Sequence, residues 1–437
     1  MKITILFEEE YLGVYPSIIN AITLLSNKFE SIRILTSERK SNFPKPPKFK
    51  NNVFFYKIRQ YSDYNRNSFD VSSQSSPEYE IFEVQASFWK QLIPEFIKIE
   101  YRKFRNLYIE NIDNLKPQIK LLYDKVIYCI FCYINTILYR PNIIIAIDGT
   151  GLVAGTLLKL FTLNKVHLVF WSLEIDTRKS PLLFSYFYEK IISICAKYTD
   201  TLVVQEQTRL KVLKDKLNYK FHCTPTFLIP HSPLDSKDDS TVETQFFHNM
   251  FSLSKEEKVI LHAGWIHDAM CVDKMAGSAK FWKPQFRLVF HEREKRSPDE
   301  NFIRHVCGLS GNKLLLSLNP VPFEEIDKVF SSAQIGIIAY EKNYGGGREN
   351  AHKASGKLGH FLKSGVPVIA LDLPGYREMF VKYKCGMIFE SFDEIQTCIE
   401  KIFSDYELYK FGALRCFQNE FEFEKFFNPF SLHLLRV

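Results

Sequence analysis

The sequence predicts two doubly wound α/β domains, and three observations carry that prediction. Short continuous runs of Ile, Leu and Val recur along the chain. Longer helical patterns separate several of them. One polar stretch, Pro230-His231-Ser232-Pro233-Leu234-Asp235-Ser236-Lys237-Asp238-Asp239-Ser240, interrupts the alternation, which then restarts. Runs that are apolar throughout, rather than at every second residue, indicate strands buried on both faces, as in a parallel sheet covered by helices. A chain of 437 residues suits two domains better than one.

In the first domain, about residues 1–235, the strands are Ile3–Phe7, Ile32–Leu35, Val53–Ile58, Ile143–Ile147, His167–Trp171 and Thr201–Val204. Ser17–Lys28 and Tyr186–Lys197 carry helical patterns between them. In the second, about 236–410, the strands are Val259–His262, Arg287–Phe290, Leu314–Leu318, Ile335–Tyr340, Val366–Leu371 and Gly386–Phe389. Phe323–Ser332 and Lys357–Lys363 are helical there. The tail, 411–437, is Phe-rich and helical at its start. Region 60–125 breaks the alternation with a polar stretch, Tyr61–Tyr79, and a Lys/Arg/aromatic segment, Phe88–Lys120, punctuated by Pro94 and Pro117. It reads as solvated helices packing aromatics on the first domain. The competing reading is an insertion that meets a partner, a lipid surface or an acceptor.

Composition narrows the function classes. Hydrophobic residues at 46% and charged ones at 24% exclude a disordered chain. Nine Cys are too dilute for a disulfide scaffold. The charge of +7, from 57 Lys+Arg against 50 Asp+Glu, is weak for a dedicated nucleic-acid binder, so no nucleic-acid partner is expected. With 39 Phe and 22 Tyr, aromatics interleaved with Lys occur everywhere and carry no such signal. The start, Met1 to Phe7 followed by Glu8, Glu9 and Glu10, reads as a buried strand and an acidic loop, not a signal peptide. The longest apolar run, Val126–Leu138, is broken only by Asn135 and Thr136 and spans 13 residues. That is short of a membrane span and reads as a buried core helix. Cys129 and Cys132 are then small apolar residues on it rather than metal ligands. A cytoplasmic protein is expected, with peripheral contact at the inner face of the membrane left open.

In open parallel sheets ligands bind past the carboxyl ends of the strands. Four such places stand out. His262-Ala263-Gly264-Trp265 has a Gly that lets a phosphate approach the backbone. His291-Glu292-Arg293-Glu294-Lys295-Arg296 offers cations for a diphosphate, or is a solvated loop. Ser317-Leu318-Asn319-Pro320-Val321-Pro322 is a rigid loop suited to a base edge. The fourth is strongest: after Tyr340-Glu341 come Gly345-Gly346-Gly347-Arg348-Glu349-Asn350 and then Ala354-Ser355-Gly356-Lys357 at a helix start. Free N–H groups, a helix dipole, a hydroxyl and an ammonium would meet there, which makes an anion site. In the first domain, Asp148-Gly149-Thr150-Gly151 follows a strand and is either a plain turn or an acceptor contact.

The run from Ala354-Ser355-Gly356-Lys357-Leu358 through Gly365-Val366-Pro367-Val368-Ile369 resembles the C-terminal signature of retaining GT-B glycosyltransferases, the family 4-like group. Phe323–Ile326 through Ser331–Gly336 resembles the segment before that family's donor-site strand, and His262-Ala263-Gly264 stands where it has a donor-phosphate Gly. Trp171-Ser172-Leu173-Glu174 resembles an acceptor-side motif, and Tyr198-Thr199-Asp200 with Val203-Val204 a late strand of the first domain.

The resemblance implies two Rossmann-like domains facing across a cleft, with the nucleotide-sugar donor mainly on the second and a glycan or lipid-linked acceptor mainly on the first. The last helix, 411–437, would cross back. No cofactor beyond the co-substrate and no metal is implied. Lys357, Glu341 and Glu174 would be catalytic. Gly264, Trp265, Arg293, Lys295, Ser317, Pro322, Ser355, Gly356, Lys357 and His360 would bind the donor, and Asp148, Gly149 and Glu174 the acceptor. Two departures stand out. The family's paired Glu align with His352 and His360, with Glu341 and Glu349 as nearby carboxylates. Trp265, not Arg, follows Gly264, and Lys274 is the first cation after it. The expected reaction is transfer of a sugar to an acceptor hydroxyl with retention. A sugar-nucleotide epimerase and a non-catalytic nucleotide-sugar-binding protein are the alternatives.

Overall fold

The computed structural model describes residues 1–8, 12–38, 44–59, 116–175, 183–218, 224–235, 244–341 and 352–437. The Gly345–Asn350 loop with Glu349, the end of the polar linker and most of region 60–125 lie outside them. The first domain runs β1 (Lys2–Phe7), α1 (Pro16–Ser26), β2 (Ser31–Glu38), β3 (Val53–Arg59), α2 (Lys116–Ile137), β4 (Ile143–Ile147), α3 (Asp148–Phe161), β5 (His167–Trp171), α4 (Leu183–Ala196), β6 (Thr201–Val204), α5 (Gln207–Leu217) and β7 (Thr226–Leu228). The second runs α6 (Phe246–Phe251), β8 (Lys258–Ala263), α7 (Val272–Ala279), β9 (Phe286–His291), α8 (Asn301–Leu309), β10 (Leu314–Ser317), α9 (Ile326–Ser331), β11 (Ile335–Ile338), α10 (Gly356–Lys363), β12 (Val368–Leu371), α11 (Tyr376–Tyr383), β13 (Gly386–Phe389), α12 (Ile395–Ser404) and α13 (Tyr406–Cys416). A π-helical turn, Phe417–Phe421, then leads to α14 (Phe423–Leu434).

Both sheets are parallel and doubly wound. Their orders are β3-β2-β1-β4-β5-β6-β7 and β10-β9-β8-β11-β12-β13. Successive residues of one strand serve different cores, which is why the runs do not alternate in polarity. Ile143, Ile145 and Ile147 of β4 face the core that includes α1, whereas Ile144 and Ala146 face the core under α2, α3 and α4. Strand order reverses at β1/β4 and at β8/β11, so each domain has a crevice at the carboxyl ends of those strands.

Two of the helical features differ from the sequence expectation. The Val126–Leu138 helix is buried on one side only: Tyr128, Phe131 and Cys132 are in the core, while Val126, Ile130 and Ile134 face outward. The crossing back to the first domain begins at Phe423 rather than at 411, because Ala413, Cys416, Phe417 and Phe421 are buried in the second core. Beyond it, Phe423, Phe427, Phe430 and Leu434 recur at helical spacing and are buried in the first domain's core. Phe430 meets Trp171 edge-on, with ring centroids 5.9 Å apart. Each such side chain contributes about 1.5–3 kcal/mol by leaving water, so α14 fastens the two domains together.

Candidate active site

A cavity of about 310 Å³ opens between the two domains where their strand carboxyl ends meet. That is the lower end of the range for small-molecule sites. Tyr15, Pro16, Glu174, Arg209 and His231 line it from the first domain. Gly264, Trp265, Arg293, Tyr340, Ser355 and Lys357 are among those lining it from the second.

The second-domain wall is built at the β8/β11 switch point. β8 ends at Ala263, and Gly264 turns away with φ +121°, a conformation side chains rarely adopt. A Cβ on Gly264 would stand 3.3 Å from Lys357 Nζ, so the ammonium lies directly against bare backbone. Lys357 Nζ is 5.4 Å from the centre of the Tyr340 ring. The Tyr340 hydroxyl is 3.0 Å from Ser355 Oγ. Ser355 occupies the N-cap of α10 and makes no side-chain capping bond. The first N–H groups of a helix have no intrahelical acceptor, and the dipole adds positive potential there. Gly264 and the run Ser355-Gly356-Lys357, about ninety residues apart in sequence, thus share one wall. Burial, with the Lys357 charge adding to it, pushes the neighbouring His262 well below its ordinary pKa, so its ring is neutral.

Further along this wall, the Arg293 guanidinium lies 5.6 Å from the Trp265 ring, and Trp265 stacks on His267 at 4.2 Å. Glu292 is fully buried and holds this loop: its carboxylate accepts from the N–H of Ile266 and of Arg293, each at 2.8 Å. Burial raises its pKa. His360 lines the cleft, stacked on Phe330 at 4.7 Å with Nδ1 3.3 Å from Asp327 Oδ1. Burial would raise the Asp327 carboxyl, but His360 and Lys363 outweigh it and hold the carboxyl well below the usual range.

The first-domain wall centres on the 172–174 turn. Asp148, itself at φ +53°, accepts from the N–H of Leu173 at 2.7 Å and of Glu174 at 2.9 Å. Gln205 Nε2 donates to Ser172 O at 2.9 Å, and Arg209 Nη2 to Leu173 O at 2.7 Å. Arg209 is only 3% exposed, and burial lowers its pKa against the opposing fields of Glu174, Glu206 and Asp148. His231 closes the seam. Its Nδ1 is 2.6 Å from Ser17 Oγ, its backbone N–H donates to Lys353 O at 2.8 Å, and burial lowers its pKa to about 3. A Cβ on Gly356 would come within 2.9 Å of that ring, so only glycine lets α10 start against the first domain.

Eight expected residues therefore line the cleft: Glu174, Gly264, Trp265, Arg293, Ser355, Gly356, Lys357 and His360. Six do not. Glu341 is turned to Lys274 at 2.5 Å, and Cys271 Sγ lies 3.6 Å from it. Lys295 is exposed and does not line the cleft. Ser317 is buried with its hydroxyl 2.9 Å from His291 Nδ1. Pro322 is exposed outside the cleft, and Pro320, Val321 and Phe323 line it instead. Asp148 is spent on the 172–174 turn, and Gly149 packs against Ile192. His352 pairs with Glu206 at 2.9 Å outside the cavity. Arg209 and His231 were not anticipated. For Arg209 the available signal was its place in the first turn after β6; for His231, inside an apparent linker, there was none. Among the described residues no three His, Cys, Asp or Glu side chains gather as a metal site.

No family model matches the chain, and no curated protein matches it. Solved structures match it in shape. HepE of Anabaena, solved with UDP and glucose, gives a TM-score of 0.62 at 12% identity, with 100% of each chain covered. An α,α-trehalose-phosphate synthase (UDP-forming) from Burkholderia vietnamiensis gives 0.62 at 9% identity, again with 100% of each covered. Sucrose-phosphate synthase from Thermosynechococcus elongatus gives 0.57 at 11% identity, covering 100% of this chain and 97% of that one. The chain has the GT-B fold of the group 1 glycosyltransferases, two Rossmann-like domains facing one cleft.

Proposed function

We propose that this protein is a glycosyltransferase that moves a hexose from a nucleoside diphosphate sugar to an acceptor hydroxyl, with retention at the anomeric carbon and without a required metal. One observation carries the reading: Lys357 Nζ against the bare backbone of Gly264, at the start of α10 and in the cleft. That wall offers fixed N–H dipoles and cations where negative charge grows on a departing diphosphate. Arg293 adds a second cation beside Trp265. In the reaction the anomeric carbon–phosphate oxygen bond breaks, the carbon–acceptor oxygen bond forms, and the acceptor proton ends on the released diphosphate. Glu174, a carboxylate that lines the cleft from the first domain, would orient the acceptor hydroxyl. The solved HepE complexes hold UDP, UDP with glucose, or UDP-glucose, which favours uridine as the base here.

A glycan or lipid-linked acceptor, a role in polysaccharide assembly and a cytoplasmic site belong to the same reading. Eight free cysteines among the described residues fit a reducing compartment. The test is release of nucleoside diphosphate from a panel of donor sugars, with and without acceptor. Release that needs acceptor, survives EDTA and falls at least about a hundredfold in Lys357→Gln supports the proposal. An isomerised donor, or binding without any product, contradicts it.

A further inference from the structure

α2, α3 and α4 pack side by side on one face of the first sheet, and their inner sides fill its core. Their outer sides are apolar as well. Along α2, Val126, Ile130, Ile134 and Ile137 form one stripe at helical spacing and are 37% to 48% exposed. On α4, Phe187, Ile191 and Ile194 form a second stripe, 46% to 57% exposed. At the end of the domain away from the cleft the exposure is greater: Leu138 is 87%, Leu163 79% and Phe161 66% exposed. These ends adjoin. The rings of Tyr133 and Phe161 are 4.9 Å apart, and Lys159 Nζ donates to Tyr198 O at 3.0 Å. Single exposed apolar residues need no explanation, but a contiguous face of them does.

Two further observations say what covers this face. Leu163 sits at φ +53° and Asn164 at φ +61°, so the chain holds a leucine in the left-handed region and gains no burial from it. The rim is basic. Arg140, Lys165 and Lys197 are exposed and follow Leu138, Leu163 and Ile194 within three residues. The nearby acids are already engaged, Asp200 with Lys159 at 2.5 Å and Glu189 with Lys216 at 3.3 Å. A like-charged rim opposes pairing with the same face of a second copy and matches anionic headgroups. We infer that this face docks the protein on an anionic phospholipid bilayer, with Leu138, Phe161 and Leu163 entering the acyl boundary and Arg140, Lys165 and Lys197 meeting the phosphates. The contact is peripheral, since among the described residues no helix is long and apolar enough to cross a membrane. The inference does not depend on sugar transfer.

The test is flotation of the full chain with vesicles of phosphatidylcholine alone, and with vesicles containing about 30% phosphatidylglycerol. Wild type should float with the anionic vesicles about tenfold or more better than with the neutral ones. The triple variant Leu138→Asn, Phe161→Ser, Leu163→Asn should lose at least about tenfold of that binding at unchanged Tm, since asparagine tolerates the Leu163 backbone. Lys165→Glu with Lys197→Glu should abolish the preference for anionic vesicles. Any of four results would overturn the inference: wild type that fails to float; a triple variant that floats as wild type does; sedimentation showing a wild-type dimer that the triple variant makes monomeric, which assigns the face to self-association; and a triple variant with lowered Tm together with no flotation of wild type, which assigns the face to another segment of this chain.

Discussion

Replacing Gly264 by alanine separates the two demands made on that position. Its φ of +121° strains any side chain, and the added Cβ would stand 3.3 Å from Lys357 Nζ and 3.5 Å from Cε. The backbone strain costs about 1–3 kcal/mol of stability. The contact is tight but falls on the end of a flexible side chain, so the ammonium gives way by a few tenths of an ångström. The same methyl occupies the space a phosphate oxygen needs beside the backbone. Losing one charge-assisted hydrogen bond costs about 1.5–3 kcal/mol, or roughly 10- to 150-fold in donor affinity. Gly311→Ala is the control: φ is +64° there, but the nearest atom to an added Cβ is Lys280 Cγ at 3.8 Å, away from the cleft. Urea unfolding and calorimetric titration with a nucleoside diphosphate should show both variants destabilised and only Gly264→Ala impaired in binding. Equal binding by the two variants would refute the placement of the phosphate.

Three other outcomes follow from the geometry. Phe427→Ala removes a fully buried ring from α14 and should cost roughly 3–5 kcal/mol in urea unfolding, because the first core closes on that side chain. Glu174→Gln should leave donor binding intact and lower acceptor-dependent turnover by about a hundredfold; unchanged turnover would remove Glu174 from the mechanism. His231 and His291 are buried neutral, with folded-state pKa values lowered by burial to about 3 and about 4. Because these lie below the unfolded value, the stability they confer is complete above about pH 6.5 and is lost as pH falls toward the folded values. Between pH 7 and 5 each should cost about 2 kcal/mol, and His291→Gln should flatten the unfolding profile by that amount.

The strands were legible because burial on both faces leaves a continuous apolar run, as in Ile143–Ile147. β7 was missed: three residues at a sheet edge leave no run to read. The Val126–Leu138 helix shows the limit of apolar content, since the composition does not distinguish a helix buried all round from one with an outward apolar stripe. Gly264 and Lys357 were legible because glycine after a buried strand and lysine at a helix start each have a local reason. Glu341 misled because its partner, Lys274, lies 67 residues earlier and is brought to it only by the packing of β8 against β11. His231 acquires its place from the closing of the two domains, between Ser17 and Lys353, which no local pattern encodes; Arg209 is held within the first domain by Gln205 and Leu173, residues that the sequence does not bring together by spacing alone.

If the backbone at Gly264 and the start of α10 grip a diphosphate, amide hydrogen exchange reads those groups directly. Adding UDP should slow exchange in peptides covering 262–267 and 354–358, whereas uridine at equal occupancy should leave both unchanged. Slowed exchange confined to other parts of the chain, or equal protection by uridine, would contradict it.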